Sequence, residues 1–353
     1  MSEGKRYLIG ISQGDINGIG PEVIIKTFLD ARMMERCTPI LYGSSKVISF
    51  HRKVLNLGQF NFAQSRTIDK IQWNTFNIIN CWEEDIPVQL GQKNENGGKY
   101  AFLSLQAAVS DLKAGRIDAL VTAPINKNSI HSDAFPFSGH TSYLAAQAGI
   151  PDHLMLMCGG NLRIGLVTEH LPVAEVAAQI KKETILKKLV ILKNSLVKDF
   201  GIEKPKIAVL ALNPHAGDEG LTGKEEIEEI KPSIAEAKNK NIFAMGPYPA
   251  DGFFGAGNHT KFDAILAMYH DQGLVPFKAL SFDNGVNYTA GLPFVRTSPD
   301  HGTGFDIAGK NIAMEDSFRE AVFLALDILR QRDRYTELTA NPLKKMELNK
   351  EIN

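Results

Sequence analysis

Cysteine is scarce: Cys37, Cys81 and Cys158 are the three in 353 residues, an odd number without a CxxC pair. That excludes a disulfide framework and suits reduced thiols in a cytoplasm. Long apolar runs are missing too. Nowhere do about 18 apolar residues follow one another as a spanning helix requires, and the start, MSEGKRYLIGIS, has no long apolar segment of a secretion signal. Neither sign of charge dominates: 39 Lys and Arg face 40 Asp and Glu, a formal net charge of -1, which gives no field to draw nucleic acid or an anionic membrane. There is no low-complexity tract, no G-x-G-x-x-G and no sequence-local zinc motif. What survives these exclusions is a cytoplasmic, non-membrane chain acting on a small ligand, and long enough for two domains.

What is present is an alternation of strand and helix signals. Tyr7 to Ser12, Thr38 to Tyr42, Phe60 to Ala63, Phe76 to Asn80 and Ile117 to Thr122 read as strands. Helices are expected over Pro21 to Met34, Ser44 to Asn56 and Lys99 to Ala114, with the polar, glycine-rich Gly91 to Gly98 as a surface loop. The second half continues with strands at Leu154 to Met157, Leu162 to Val167, Ile207 to Leu212, Phe262 to Met268, Gly285 to Ala290 and Leu292 to Arg296. Helices fall at Ser142 to Ala148, Lys182 to Phe200, Gly220 to Glu229 and Ser317 to Arg330. Repeated βα units predict two linked α/β domains with mainly parallel sheets. The charged end, Lys344 to Asn353, reads as frayed.

Several strands end in chemistry. Ala267 to Lys278 reads A-M-Y-H-D-Q-G-L-V-P-F-K: a buried strand, then His270 and Asp271, a Gly-Leu-Val-Pro break, and Lys278 one loop further on. That places a metal ligand, a carboxylate and a cation at the carboxyl edge of a sheet, where open α/β folds bind ligands. A hydrogen-bonded core histidine beside a solvated Asp is the plainer alternative. His170 and His215 likewise follow strands, at separations of 45 and 55 residues along the series to His270. Such spacing makes a metal site only if the fold gathers the three, and three imidazoles with open positions are the pattern of a catalytic centre. His140 and Thr141 open a helix, where free N–H groups attract an anion; Thr141 acting only as a cap is the other reading. The loop Gly14 to Gly20 and the loop Asp300 to Lys310 can each approach a ligand closely or be plain turns.

The segments GDINGIGPE, TAPINK, GHTSYLA, TEHLPV, LNPHAGDEG, GPYPAD, MYHDQGLVPFK and VNYTAGLPFVRTSPDHGTGFDIAGK, which span residues 14 to 310 in order, resemble the 4-hydroxythreonine-4-phosphate dehydrogenase family of pyridoxal-phosphate biosynthesis. GDINGIGPE and HGTGFDIAGK are also similar to loops of the wider isocitrate and isopropylmalate dehydrogenase fold. The resemblance implies two α/β/α domains with the active site in the cleft between them: 1–130 with 275–353 on the cofactor side, and 131–274 on the metal and dimerisation side. It implies NAD or NADP, held by the loop of His301, Gly302, Thr303, Asp306 and Gly309, and one divalent ion, zinc, magnesium or cobalt, held by His170, His215 and His270. Substrate contacts fall on His140, Thr141, Lys278, Asn287 and Arg296. It further implies a homodimer with shared sites, His170 and His215 coming from one subunit and His270 from the other.

The reaction so implied oxidises a phosphorylated hydroxy amino acid at a secondary alcohol, and a Lewis acid on the alcohol oxygen favours loss of its proton. Asp271 or Asp251 takes that proton; Lys278 and Arg296 suit phosphate and carboxylate as fixed cations. Related dehydrogenases of four-carbon sugar-acid phosphates share the motifs. A metal-dependent hydrolase and a non-catalytic phosphometabolite-binding protein are the rivals from other classes.

Overall fold

The computed structural model describes residues 5–342, so the carboxyl tail expected to fray lies outside the described residues. In chain order the strands are β1 (Leu8–Ser12), β2 (Thr38–Gly43), β3 (Ala63–Ser65), β4 (Asn77–Asn80), β5 (Ala119–Thr122), β6 (Leu154–Gly159), β7 (Leu162–Leu166), β8 (Lys206–Leu210), β9 (Phe243–Tyr248), β10 (Ala264–Ala267), β11 (Val286–Ala290) and β12 (Val295–Pro299). The helices are α1 (Gly20–Leu29), α2 (Met33–Arg36), α3 (Ser45–Val54), α4 (Glu95–Lys113), α5 (Lys127–Ile130), α6 (His140–Ala148), α7 (Val173–Gln179), α8 (Lys182–Lys198), α9 (Lys231–Asn239), α10 (Ala250–Gly255), α11 (His270–Ser281) and α12 (Asp316–Thr339).

The strands join edge to edge in one twelve-stranded sheet, ordered β3-β4-β2-β1-β5-β12-β11-β6-β7-β10-β8-β9. Pairing is parallel except at β12-β11, β11-β6 and β6-β7. The fold is thus the mainly parallel α/β arrangement expected, with its two parallel blocks stitched by an antiparallel strip. Among the described residues no helix is long and apolar enough to cross a membrane.

Helices cover both faces. One face carries a continuous core from α1 (Val23, Ile24) through α12 (Phe318, Val322) to α8 (Leu189, Leu192). The other carries two separate cores: one under α4 and α6, with Leu105, Val109 and Leu144, and one under α11 and α10, with Leu274, Phe277 and Phe253. Side chains alternate between faces along a strand, and laterally paired residues share a face. Arg296 is in register with Leu120, which belongs to the first of those cores. Asn287 is in register with Met157, which belongs to the second. Polar residues of the central strands therefore occupy the gap between two apolar cores.

Three elements differ from expectation for local reasons. α4 starts at Glu95, not Lys99, because the Asn94 side chain caps it by accepting from the Gly97 N–H (2.8 Å). Positions 97 and 98 are glycine because neighbours leave no room for a Cβ, Asp15 Oδ1 lying 2.5 Å from one at Gly97. The Gly-Leu-Val-Pro stretch after Asp271 is no break: α11 runs through it with Pro276 inside. The expected helix at Gly220 to Glu229 begins only near Glu226 and continues as α9, after a turn described below.

Candidate active-site cleft

A cleft of about 600 Å³ opens over the central strands. Its lining gathers His140, Thr141, His170, Asn287, Arg296, His301 and Gly302 from the expected residues. His215, His270, Lys278, Asp251, Asp271, Thr303, Asp306 and Gly309 do not line it.

Arg296 dominates the floor. It is 2% exposed, and its guanidinium donates to Thr122 Oγ1 from Nε (3.2 Å) and Nη2 (2.7 Å) and to Thr289 Oγ1 from Nη1 (3.2 Å). All of these partners are neutral. Burial lowers its pKa to about 9, so it stays charged at neutral pH. A buried charge without a counterion is costly, and a bound anion supplies what the protein withholds. Beside it, His140 Nε2 and Asn287 Oδ1 are buried without a hydrogen-bond partner, as polar atoms waiting for a ligand would be. Burial, then the charges of Arg296 and Lys127, push the His140 pKa well down, leaving a neutral ring. Gly139 precedes α6, and no side chain caps that helix, so Thr141 sits within the first turn, free of the capping role.

His170 belongs to the lining, and the ring of His270, outside it, lies 5.6 Å from that of His170, centroid to centroid. Burial, followed by the Lys127 charge, lowers the His170 pKa, which favours the neutral, metal-ligating form. His270 Nδ1 is 2.7 Å from Asp271 Oδ1. A carboxylate only accepts, so Nδ1 carries the hydrogen of this bond, and Nε2 is the ring nitrogen that it leaves uncommitted. His270 opens α11, so Lys278 lies eight residues on, about 12 Å along the axis. There it donates to the Asp300 carbonyl (3.3 Å) and pairs with the Asp300 carboxylate (3.6 Å). Asp251, on α10, is exposed.

His215 stands apart. Its segment, Pro214 to Gly220, is a turn in which His215, Ala216, Gly217, Asp218 and Glu219 all have positive φ, from 44° to 79°. Left-handed backbone costs an L-residue about 1–2 kcal/mol, and four of these five are not glycine. Among the described residues no three or more His, Cys, Asp or Glu side chains group to hold a metal. The donor set therefore fits a divalent ion only in part: one chain presents the His170 and His270 pair, with His215 outside it. The resemblance pairs His170 with His215; the ring beside His170 in this chain is that of His270.

The two glycine loops meet at the cleft's edge. Ile19 N donates to Thr303 O (2.9 Å), and a Cβ on Gly18 would come within 2.6 Å of that oxygen. His301 donates Nδ1 to Gly302 O (3.0 Å), and its Nε2 is buried without a partner. Thr303 is thus turned toward the Gly14–Gly20 loop, and Gly309 packs on Leu90.

Sequence reasoning passed over a second charged group. Glu169 Oε1 lies 3.5 Å from His153 Nε2 and 3.9 Å from Lys188 Nζ, and all three line the cleft. Burial alone would raise the Glu169 pKa, but His153, the Lys188 charge and His170 together hold it below the ordinary value. Lys188 was hidden in α8, an amphipathic helix that reads as structural; a lysine that interrupts its apolar face was the available signal. Lys127, at the end of the TAPINK segment, also lines the cleft, and its charge acts on both His140 and His170.

Residues 35–325 match the family model described as pyridoxal phosphate biosynthetic protein PdxA. The chain is 52% identical over 344 residues to a 4-hydroxythreonine-4-phosphate dehydrogenase of Bacteroides thetaiotaomicron, covering 97% of this chain and 94% of that one. It is 38% identical over 328 residues to a protein of Oceanobacillus iheyensis provisionally named D-threonate 4-phosphate dehydrogenase, covering 92% and 98%. Among solved structures, a 4-hydroxythreonine-4-phosphate dehydrogenase of Klebsiella pneumoniae superposes with TM-score 0.79 at 32% identity, covering 93% and 99%.

Proposed function

The chain belongs to the pyridoxal phosphate biosynthetic protein PdxA family, a family of oxidoreductases, and we propose that it oxidises 4-phosphooxy-L-threonine to 2-amino-3-oxo-4-phosphooxybutanoate. That product loses CO2 to give 3-amino-2-oxopropyl phosphate, on the way to pyridoxine 5'-phosphate in the cytoplasm. The observation that carries the reading is the uncompensated Arg296 guanidinium, buried beside the unpartnered His140 Nε2 and Asn287 Oδ1.

Arg296 and Lys127 bind the substrate's anionic groups, and fixed, partly dry cations hold phosphate and carboxylate by charge-assisted bonds. His140 and Thr141 add contacts at the start of α6, and Asn287 orients the substrate from the sheet. Lys278, tied to Asp300, is the further cation that the resemblance assigns to the substrate. When bound, NAD or NADP supplies a hydride acceptor and a divalent ion (zinc, magnesium or cobalt) a Lewis acid. His170, His215 and His270 would hold the ion in a site shared across a homodimer, with His170 and His215 from one subunit and His270 from the other, as the resemblance implies. The dinucleotide would lie along His301, Gly302, Thr303, Asp306 and Gly309. Asp271 orients the His270 ring, and either it or Asp251 receives the alcohol proton. For the domains we keep the division that the resemblance implies: 1–130 with 275–353 on the cofactor side, and 131–274 on the metal side.

The second reading is a dehydrogenase of 4-phosphoerythronate or 4-phosphothreonate, favoured by the resemblance to the O. iheyensis protein. NADH formation measured with all three substrates separates the two. The expected result is turnover of 4-phosphooxy-L-threonine, lost on chelation and restored by a divalent ion. No NADH from any of the three would overturn the dehydrogenase reading and favour a hydrolase or a phosphometabolite-binding protein.

A further inference from the structure

The geometry points to Glu226 as a positioning residue that holds the His215 turn in the conformation that presents its imidazole. This rests on the reading of His215 as a metal ligand. After β8 the chain passes Leu212 and Asn213 and enters the left-handed run His215 to Glu219, with φ of 54°, 54°, 79°, 44° and 53°. L-residues rarely adopt that conformation, so something outside the run must impose it.

Glu226 is 1% exposed, and both of its oxygens are committed to the turn's entrance. Oε1 accepts from the backbone N–H of Leu212 (2.9 Å) and of Asn213 (2.8 Å); Oε2 accepts from Asn213 Nδ2 (3.0 Å). The same Asn213 amide donates to Glu225 Oε2 (2.7 Å). The middle of the turn touches this carboxylate as well, since a Cβ on Gly217 would lie 2.6 Å from Glu226 Oε2. The exit is closed by Thr222 N donating to Gly217 O (3.1 Å), Leu221 N to Asp218 O (3.0 Å) and Thr222 Oγ1 to Pro214 O (3.3 Å). One buried carboxylate thus fixes the backbone immediately before His215 and the glycine two residues after it. Groups outside a metal's own ligands that orient those ligands typically change metal affinity 10- to 100-fold when altered.

The test is Co2+ binding to the full-length protein, followed by calorimetry and by the visible spectrum of the ion. H215A sets the loss caused by removing the ligand. E226Q keeps the side-chain volume but sets an NH2 group among N–H donors. G217A keeps Glu226 and instead puts a methyl group against it, at a residue with φ of 79°. Both variants are expected to bind Co2+ about 10-fold or more weakly and to alter its spectrum. The inference is overturned if H215A loses Co2+ while E226Q and G217A keep wild-type affinity, or weaken it with an unchanged spectrum and only in step with their thermal stability. If H215A binds Co2+ like the wild type, the reading of His215 as a ligand fails instead, and the inference with it. Should E226Q not fold, G217A decides.

Discussion

Asp15 is a carboxyl group held where its charge is unwelcome. It is 1% exposed; Oδ1 accepts from Asn17 N (2.9 Å), and Oδ2 has no partner. Burial, offset in part by the Asn17 bond, raises its pKa from 3.8 to about 6. Because the folded-state value lies above the unfolded one, the folded chain holds the proton more tightly. Stability is therefore greatest below the unfolded pKa, falls as pH rises through about 4 to 6, and stays lowered above that. A gap of about two pH units corresponds to roughly 3 kcal/mol. D15N keeps an acceptor for Asn17 and removes the ionisation, so in urea unfolding it should be more stable than wild type at pH 7.5 and equal to it near pH 4. An equal margin at both pH values would mean that the buried charge is not the cause. Other residues of the site differ in how plainly they can be read from sequence. His140 announces itself by opening a helix and Arg296 by interrupting an apolar strand with a charge, whereas Glu169 and Lys188 meet only because β7 and α8 pack side by side.

At the scale of elements, the informative contact is α4 against α5. A Cβ on Gly98 would fall 1.8 Å from Ser129 O and 2.1 Å from Ser129 C, so the helices can touch only if residue 98 has no side chain. G98A must push α5 away, and α5 carries Lys127 at its first position. Overpacking of this kind costs about 1–3 kcal/mol, and backbone atoms leave little room to yield. The expected result is a loss near 3 kcal/mol in denaturant unfolding, with a raised KM for the phosphorylated substrate. A variant as stable as wild type would show that α5 moves freely. The same contact explains why GQKNENGG reads as loop: glycine lowers helix propensity, and only the tertiary neighbour reveals why glycine is used. Most strands and the long helices α1, α3, α4, α8 and α12 were legible from periodicity; the edge strand β9 and the short helices α5, α7 and α10 were not. Pro276 misled because a proline usually ends a helix, and here α11 continues past it.

For the whole molecule, the division of the three histidines is open to a subunit-exchange experiment. If His170 and His215 act from one chain and His270 from its partner, mixing H215A with H270A gives heterodimers with one intact site, and random exchange restores about one quarter of wild-type sites. Mixing H170A with H270A should restore as much, because those two also act from different chains. If His215 alone came from the partner, only the first mixture would recover; if all three came from one chain, neither would. The sheet order carries a consequence for how such subunits are made. β11 and β12, the last two strands among the described residues, lie in the middle of the sheet between β6 and β5. Until Pro299 has emerged from the ribosome, the parallel block ending at β5 and the strands built on β6 each expose an unpaired edge, open to neighbouring chains. The residues that close that seam include Asn287 and Arg296, so a nascent chain that stalls before Val286 has neither a finished sheet nor a floor for its cleft.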